Sequence, residues 1–451
     1  MKCGFRLPDN CRRIIEDLTN AGFEAYAVGG CVRDLMLGLC PKDWDITTSA
    51  MPEEVKALFR RTVDTGIQHG TVTVLMKRES YEVTTYRIDG AYEDSRHPSG
   101  VSFTRELSED LRRRDFTVNA MAYHPEKGLV DLFGGAEDLK EGIIRAVGDP
   151  AERFSEDALR ILRAYRFSAR LGFRIEEKTR EAASRLAGTL RNISAERIRD
   201  ELQGLVCSDH PEKLRDRAAD GVTSVVLPEL DRCMETGQKN KHHIYTVGEH
   251  TIQALMIDAK YSCLMKEDER LGAFVRLALL FHDFGKPECL TVDGEGVEHF
   301  KGHAEASERI AEGIMRRLKM DNDTISHVRA LVKYHDYRPE ATLQSVRRAM
   351  NKTGEETFRL LFPVRAADML AQSRYNREEK IRYQKKLMAL YAEIMQKKQC
   401  ISLKDLAVDG NDLIRAGMKP GKEIGEKLNQ LLQLVLEDPE CNTKEYLLSK
   451  C

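Results

Sequence analysis

The spacing of apolar residues divides the chain near position 150. Before that point, runs of period two alternate with stretches of period near 3.6, as strands and helices do. Glu24-Ala-Tyr-Ala-Val28 reads as a strand, and Cys31 to Leu37 as a helix. The β-rich runs Thr71–Met76 and Tyr81–Tyr86, separated by a polar turn, predict a hairpin. Beyond 150 the strand signal nearly vanishes. Helical periodicity runs on to the C-terminus, broken at Asp209-His-Pro211, Asp293-Gly-Glu-Gly296 and Gly417-Met-Lys-Pro420. The expected fold is α+β: an α/β head over residues 1–145, then a long all-α body.

Composition and charge narrow this little. Hydrophobic residues make up 41% and charged residues 32%, as in an ordinary globular protein. The first residues lack the apolar core of a signal peptide, and no apolar run approaches the roughly 20 residues a membrane helix needs. A cytoplasmic protein without membrane contact is expected. The eleven cysteines form no CxxC pair, which predicts reduced thiols rather than a zinc finger or a disulfide framework. With 71 basic and 73 acidic residues the net charge is −2, so nucleic-acid binding would rest on local clusters such as Leu111-Arg-Arg-Arg114.

Candidate chemistry begins at Gly29-Gly30, between the first strand and helix. A glycine pair there lets backbone amides approach a phosphate, although alone it is also an ordinary turn signal. Downstream stand Asp43 and Asp45. Two apart on a strand, they would face one point, and like charges so placed are costly unless a cation joins them. Mg2+ suits such ligation. A solvated loop is the competing reading of this pair. Glu82 is the candidate for a third acid, and an exposed strand glutamate is an equal reading of it.

Ser155 to Phe167 reads as one helix with Ser155 as N-cap. Ala158, Ile161, Leu162, Tyr165 and Ala169 share its apolar face; Glu156, Asp157, Arg160, Arg163 and Arg166 occupy the rest. Asp157 and Arg160, one turn apart, offer an acceptor beside a forked donor, which matches the edges of cytosine and adenine but not of guanine or uracil. Arg163 and Arg166 could reach phosphates.

The body carries His250, His282-Asp283, His303, His335 and Asp368 in that order. Imidazoles and carboxylates so combined suit a divalent transition metal of unspecified identity.

Five blocks in order carry a resemblance: Gly29-Gly-Cys-Val-Arg-Asp34, Asp43-Trp-Asp45, Arg113-Arg-Asp-Phe-Thr-Val-Asn-Ala120, Glu156-Asp-Ala-Leu-Arg160 and Ser194-Ala-Glu-Arg-Ile-Arg199. The chain resembles the bacterial class II CCA-adding enzymes of the poly(A) polymerase / tRNA nucleotidyltransferase family, over essentially its whole length. That resemblance implies a polymerase beta-like palm as head, a helical neck over 146–240 and a tRNA-binding tail over 376–451. It implies that Asp43 and Asp45 bind catalytic Mg2+, that Gly30 and Arg33 hold the triphosphate, and that Arg114 contacts the nucleotide. Asp115 and Asn119 would shape that motif. Asp157 and Arg160 would serve as a protein template, flanked by Arg163 and Arg166. The implied partners are tRNA, CTP and ATP. Asp89-Gly-Ala-Tyr-Glu-Asp-Ser-Arg-His-Pro98 resembles the family's flexible loop, which favours complete CCA addition. Phe281-His-Asp-Phe-Gly-Lys-Pro287 resembles the HD phosphohydrolases, so 241–375 is expected to be an HD domain. An A-adding enzyme, a poly(A) polymerase, and a phosphohydrolase with a non-catalytic RNA-binding head are the alternatives. Lys419, Lys422 and Lys427 could meet phosphate.

Overall fold

In a computed structural model, residues 6–89 and 101–451 are described. The chain separates into two units, Met1–Pro228 and Glu229–Cys451. The first opens with the helix Asp9–Asn20, which buries Cys11, Ile14, Ile15 and Leu18, a spacing that keeps one stripe inward. It packs near a seven-stranded sheet of order β3-β4-β5-β2-β1-β8-β9. These strands are β1 Ala25–Val28, β2 Asp45–Thr48, β3 Thr62–Gly66, β4 Thr71–Met76, β5 Glu79–Thr85, β8 Met121–His124 and β9 Gly128–Asp131. A separate pair, β6 Arg87–Asp89 and β7 Val101–Phe103, lies between β5 and β8 in sequence.

The predicted hairpin is β4–β5, antiparallel with Val74 opposite Tyr81. β2 pairs parallel with β5 and antiparallel with β1, so β2 sits centrally and its Ile46, Thr47 and Thr48 are buried. A central strand with both neighbours in place holds its first residue firmly, and that residue is Asp45. The rest of this unit is helical, including Pro150–Glu156, Leu159–Leu171 and Ala195–Val206.

The second unit is almost wholly helical. Val247–Tyr261, Glu269–Phe281, His303–Arg317, Asn322–Tyr334 and Glu355–Ala371 carry the candidate ligands. Glu269–Phe281 is buried at ten consecutive positions, Gly272 to Phe281, as befits a core helix apolar all round. A separate core gathers Val408, Leu413, Leu431, Val435 and Leu447 near the C-terminus. Among the described residues no helix is long and apolar enough to cross a membrane. Among the described residues nine cysteines are free thiols, but Cys40 is disulfide-bonded. This corrects the expectation of uniformly reduced thiols.

Asp258 and Arg276 join two of these helices through an ion pair in which both side chains are 3% exposed. Removing one partner of such a pair strands a buried charge, whereas replacing both with apolar residues does not. Asp258→Ala is therefore expected to destabilise the protein by about 3–5 kcal/mol, read as a lower urea midpoint. The double variant Asp258→Leu/Arg276→Met should hold the wild-type midpoint.

Candidate functional site

Gly29 ends β1 with φ +78°, in the left-handed region open mainly to glycine. A Cβ there would lie 2.8 Å from Nη1 of Arg114, so a side chain would be strained in its backbone and would push that guanidinium aside. Arg114 in turn is held by Asp110, which is fully buried on the helix Leu107–Arg112. Asp110 accepts from Arg113 at 2.7 Å, from Arg114 at 3.4 Å and from the Thr47 hydroxyl at 3.1 Å. Burial pushes its carboxyl up, but Arg114 and Arg113 outweigh this and hold it below the ordinary carboxylate range. Asp110 was absent from the sequence reading. Its signal is an acid three and four residues before an Arg-Arg pair, a spacing that brings helical side chains together.

Arg33 is buried. Its guanidinium donates to Asp34 at 2.8 Å and to the Asn119 amide oxygen at 2.6 Å. Asn119 donates to Asp115 at 3.1 Å, Asp115 accepts from Arg163 Nε at 2.8 Å, and Glu201 pairs with Arg163 and Arg166. Arg33, Arg163 and Arg166 also surround the Phe167 ring, with guanidinium carbons 5.2, 5.2 and 4.3 Å from its centroid. Three cations share one aromatic face and edge, each favoured by the ring quadrupole. Phe167, read from sequence only as the end of a helix, is the hub of this cluster.

Asp43, Asp45 and Glu82 lie on the exposed side of the sheet. Asp45 is directly opposite Glu82 in the parallel β2–β5 register. Burial raises the Asp45 carboxyl; Arg114 opposes this, and Glu82 and Asp43 reinforce it. The expectation that Asp43 and Asp45 share a strand is corrected, since β2 begins at Asp45. In the β1–β2 register Ala27 faces Ile46, so the position opposite Asp43 falls at Gly30, which is already helical.

The expected single helix from Ser155 is also corrected. Asp149 caps the helix Pro150–Glu156, and a second helix starts at Leu159. Asp157 lies in the break with extended backbone (φ −139°, ψ 104°). Its carboxylate accepts from the Leu159 N–H at 3.0 Å and from Arg197 at 2.8 Å. Arg160 pairs with Glu156 and donates to the Arg113 carbonyl at 2.9 Å. The two residues are thus near in sequence but do not share a helix face. The apolar stripe holds: Ala158, Ile161, Leu162, Tyr165 and Ala169 are all buried.

In the second unit the six ligand-type residues converge. His282, His303 and His335 each place Nδ1 against the backbone carbonyl three residues earlier, at 2.8, 2.9 and 2.7 Å. A carbonyl only accepts, so Nδ1 carries the proton and Nε2 of the neutral ring presents a lone pair. Those Nε2 atoms face one another: His282 and His250 at 3.4 Å, His303 and His335 at 3.3 Å. Two nitrogens bound to one cation at about 2.1 Å are separated by about 3.0–3.4 Å, so the donor set fits a divalent metal. Asp283 is shared by both groups, 3.2 Å from His282 and 3.6 Å from His303. The ligand atoms of His250, His282 and Asp283, and those of Asp283, His303 and His335, lie within 4.8 Å of one another. Asp368 adds a contact of 2.9 Å to His250. Lys286 lies 2.7 Å from Asp283. Arg365, buried and missed in the sequence, donates to the carbonyls of Tyr334, His335 and Tyr337 and so fixes the turn that presents His335. The loop expected over Asp89–Pro98 extends outside the described residues.

Comparison with known proteins agrees with this geometry. Residues 25–145 match the poly A polymerase head domain, residues 172–234 the probable RNA and SrmB-binding site of polymerase A, and residues 300–451 a tRNA nucleotidyltransferase domain 2. A mixed sheet that presents paired acids beside an arginine cluster, on a head of that kind, defines a nucleotidyltransferase. The CCA-adding enzyme of Lactobacillus helveticus is 37% identical over 96% of this chain and 94% of its own length. That of Pediococcus pentosaceus is 33% identical over 98% and 96%. The crystal structure of the Bacillus stearothermophilus CCA-adding enzyme in complex with CTP superposes with a TM-score of 0.71 at 31% identity, covering 97% of this chain and 95% of that one. The chain belongs to the bacterial CCA-adding enzymes.

Asp115 is the acid at the middle of the arginine cluster. Burial raises its carboxyl, but Arg163, the Asn119 amide and Arg160 outweigh this and hold it at about 2. A carboxyl lowered from an unfolded value near 3.9 contributes stability above that pH and loses it as pH falls toward 2. Asp115→Asn is expected to cost about 2 kcal/mol at neutral pH. In urea titrations the gap between wild type and variant should close between about pH 4 and 2.

Proposed function

We propose that the head adds C, C and A in turn to the tRNA 3′ end, taking them from CTP and ATP and releasing pyrophosphate each time. The observation that carries this is Asp45 beside Glu82, with Arg114 acting against their charge. Asp43 and Asp45 would hold Mg2+, since like charges so close favour a cation between them. Bound there, Mg2+ supplies positive charge to the departing pyrophosphate and the attacking 3′-hydroxyl.

The protein's own groups do the positioning. Gly29 and Gly30 leave room for the triphosphate, Arg114 meets it from one side, and the cluster of Arg33, Arg163 and Arg166 supplies a positive wall. Asp157 and Arg160 read the base edge, exchanging Arg197 and Glu156 for the incoming cytosine or adenine. We read 146–240 as the neck that carries this pair and 376–451 as a tail that grips tRNA.

We further propose that 241–375 is an HD domain that hydrolyses phosphoesters. His250, His282, Asp283 and Asp368 would hold one transition-metal ion, and Asp283, His303 and His335 a second. Bound there, the ions supply Lewis acidity to a phosphoryl oxygen. Asp283 and Lys286 set the local charge, and the Nδ1–carbonyl bonds keep the imidazoles aimed.

Purified protein given tRNA ending at the discriminator base, with Mg2+, CTP and ATP, should yield one CCA per molecule by 3′-end sequencing. Addition only to tRNA already ending in CC, or a long A tail, would overturn this reading. Asp45→Ala should slow addition at least about a hundredfold, and Asp157→Ala should blur the choice among the four nucleotides. His282→Ala should abolish Mn2+-dependent phosphoester hydrolysis and leave nucleotide addition intact; hydrolysis that survives it would refute the HD assignment.

A further inference from the structure

Asp283, His303, His335 and Asp368 form the floor of a cleft of about 680 Å³, large enough for a nucleotide. Its walls are basic in a way that the ligand set does not account for. Lys241, Arg338 and Lys380 all line it. Of the acids in the lining only Asp336 pairs with one of these cations, Arg338, and that pair is half exposed. Glu298 accepts from the Lys239 N–H at 2.6 Å, and Asp336 is shared with Arg338 at 3.2 Å. Asp368 accepts from His250. Lys380 donates to the Gln372 carbonyl oxygen at 2.6 Å, and the amide of the same Gln372 donates to Asp368 at 3.0 Å. One amide group therefore separates Lys380 from a residue of the ligand set.

A phosphoester undergoing hydrolysis has its phosphorus at the floor. Cations one residue away from the floor are offset from that position, and a lysine and an arginine that line the same cleft repel unless an anion lies between them. We propose that Arg338 and Lys380 form a subsite for a second, non-reacting phosphate, so that the cleft selects substrates carrying two phosphates over those carrying one. This rests on the phosphohydrolase reading above and adds a specificity to it.

The test uses the full chain with Mn2+ and two nucleotides that differ by one phosphate, adenosine 3′-monophosphate and adenosine 3′,5′-bisphosphate. Initial rates give KM and kcat, and calorimetry gives Kd. The bisphosphate should have a KM at least about tenfold lower, the worth of one charge-assisted contact. Lys380→Met and Arg338→Met should each erase most of that advantage, leaving kcat and the monophosphate KM within about twofold. Both side chains are partly exposed, and Mn2+ binding of each variant reports an intact floor. Equal KM values in the wild type, or equal shifts for both nucleotides, overturn the subsite. If the wild type hydrolyses neither nucleotide, the phosphohydrolase reading fails by itself. The subsite then stands if the bisphosphate binds more tightly by the same margin and Lys380→Met removes it, and falls if Kd does not move.

Discussion

A guanidinium taken out of water has to be met by carboxylates or carbonyls, because its desolvation is otherwise uncompensated. In the first unit this requirement links residues far apart in sequence into one chain of contacts. Asp34 holds Arg33 and Arg170, Arg33 reaches Asn119, Asn119 reaches Asp115, Asp115 reaches Arg163, and Glu201 closes the line on Arg163 and Arg166. Loss of a member leaves its neighbour without a partner, most costly at Arg33, which is buried. The positive wall of the site is thus fixed by acids behind it, and Phe167 fills the space among the arginines.

The second unit meets the same constraint with rings instead of forks. Imidazoles have one nitrogen to spare when the other is committed, and three of them commit Nδ1 to carbonyls on their own helix ends. What faces inward is then rich in lone pairs, with Asp283 and Asp368 among them and Lys286 the cation beside Asp283. Burial and cations nearby act on these carboxyls in opposite senses. His282 and Lys286 prevail at Asp283 and hold it well below the usual range. A surface so rich in acceptors has one natural complement, a small multivalent cation.

Much of this was legible from residue order. The β4–β5 hairpin, β1 and the helix after Gly29 follow period and turn chemistry, which are local properties. The histidine set was also legible, since ligand types recur rarely by chance. What could not be read is set by contacts at long range. Nothing between Ser155 and Phe167 marks a helix break; the Asp157 carboxylate is drawn to Arg197, forty residues on, and caps Leu159 as it turns. Asp43 falls outside β2, which begins at Asp45 where the pairing with Glu82 of β5 begins. Arg365 looks like one more helix charge until the carbonyls of Tyr334 and His335 are seen beside it.

Gly29 and Gly38 share a left-handed backbone, with φ +78° and +70°, and flank the same short helix. Only at Gly29 is another residue in the way: a Cβ at Gly38 meets nothing within 4 Å. Asparagine tolerates that region of φ better than most residues. A side chain at Gly38 therefore costs backbone strain alone, while one at Gly29 must also move the guanidinium of Arg114.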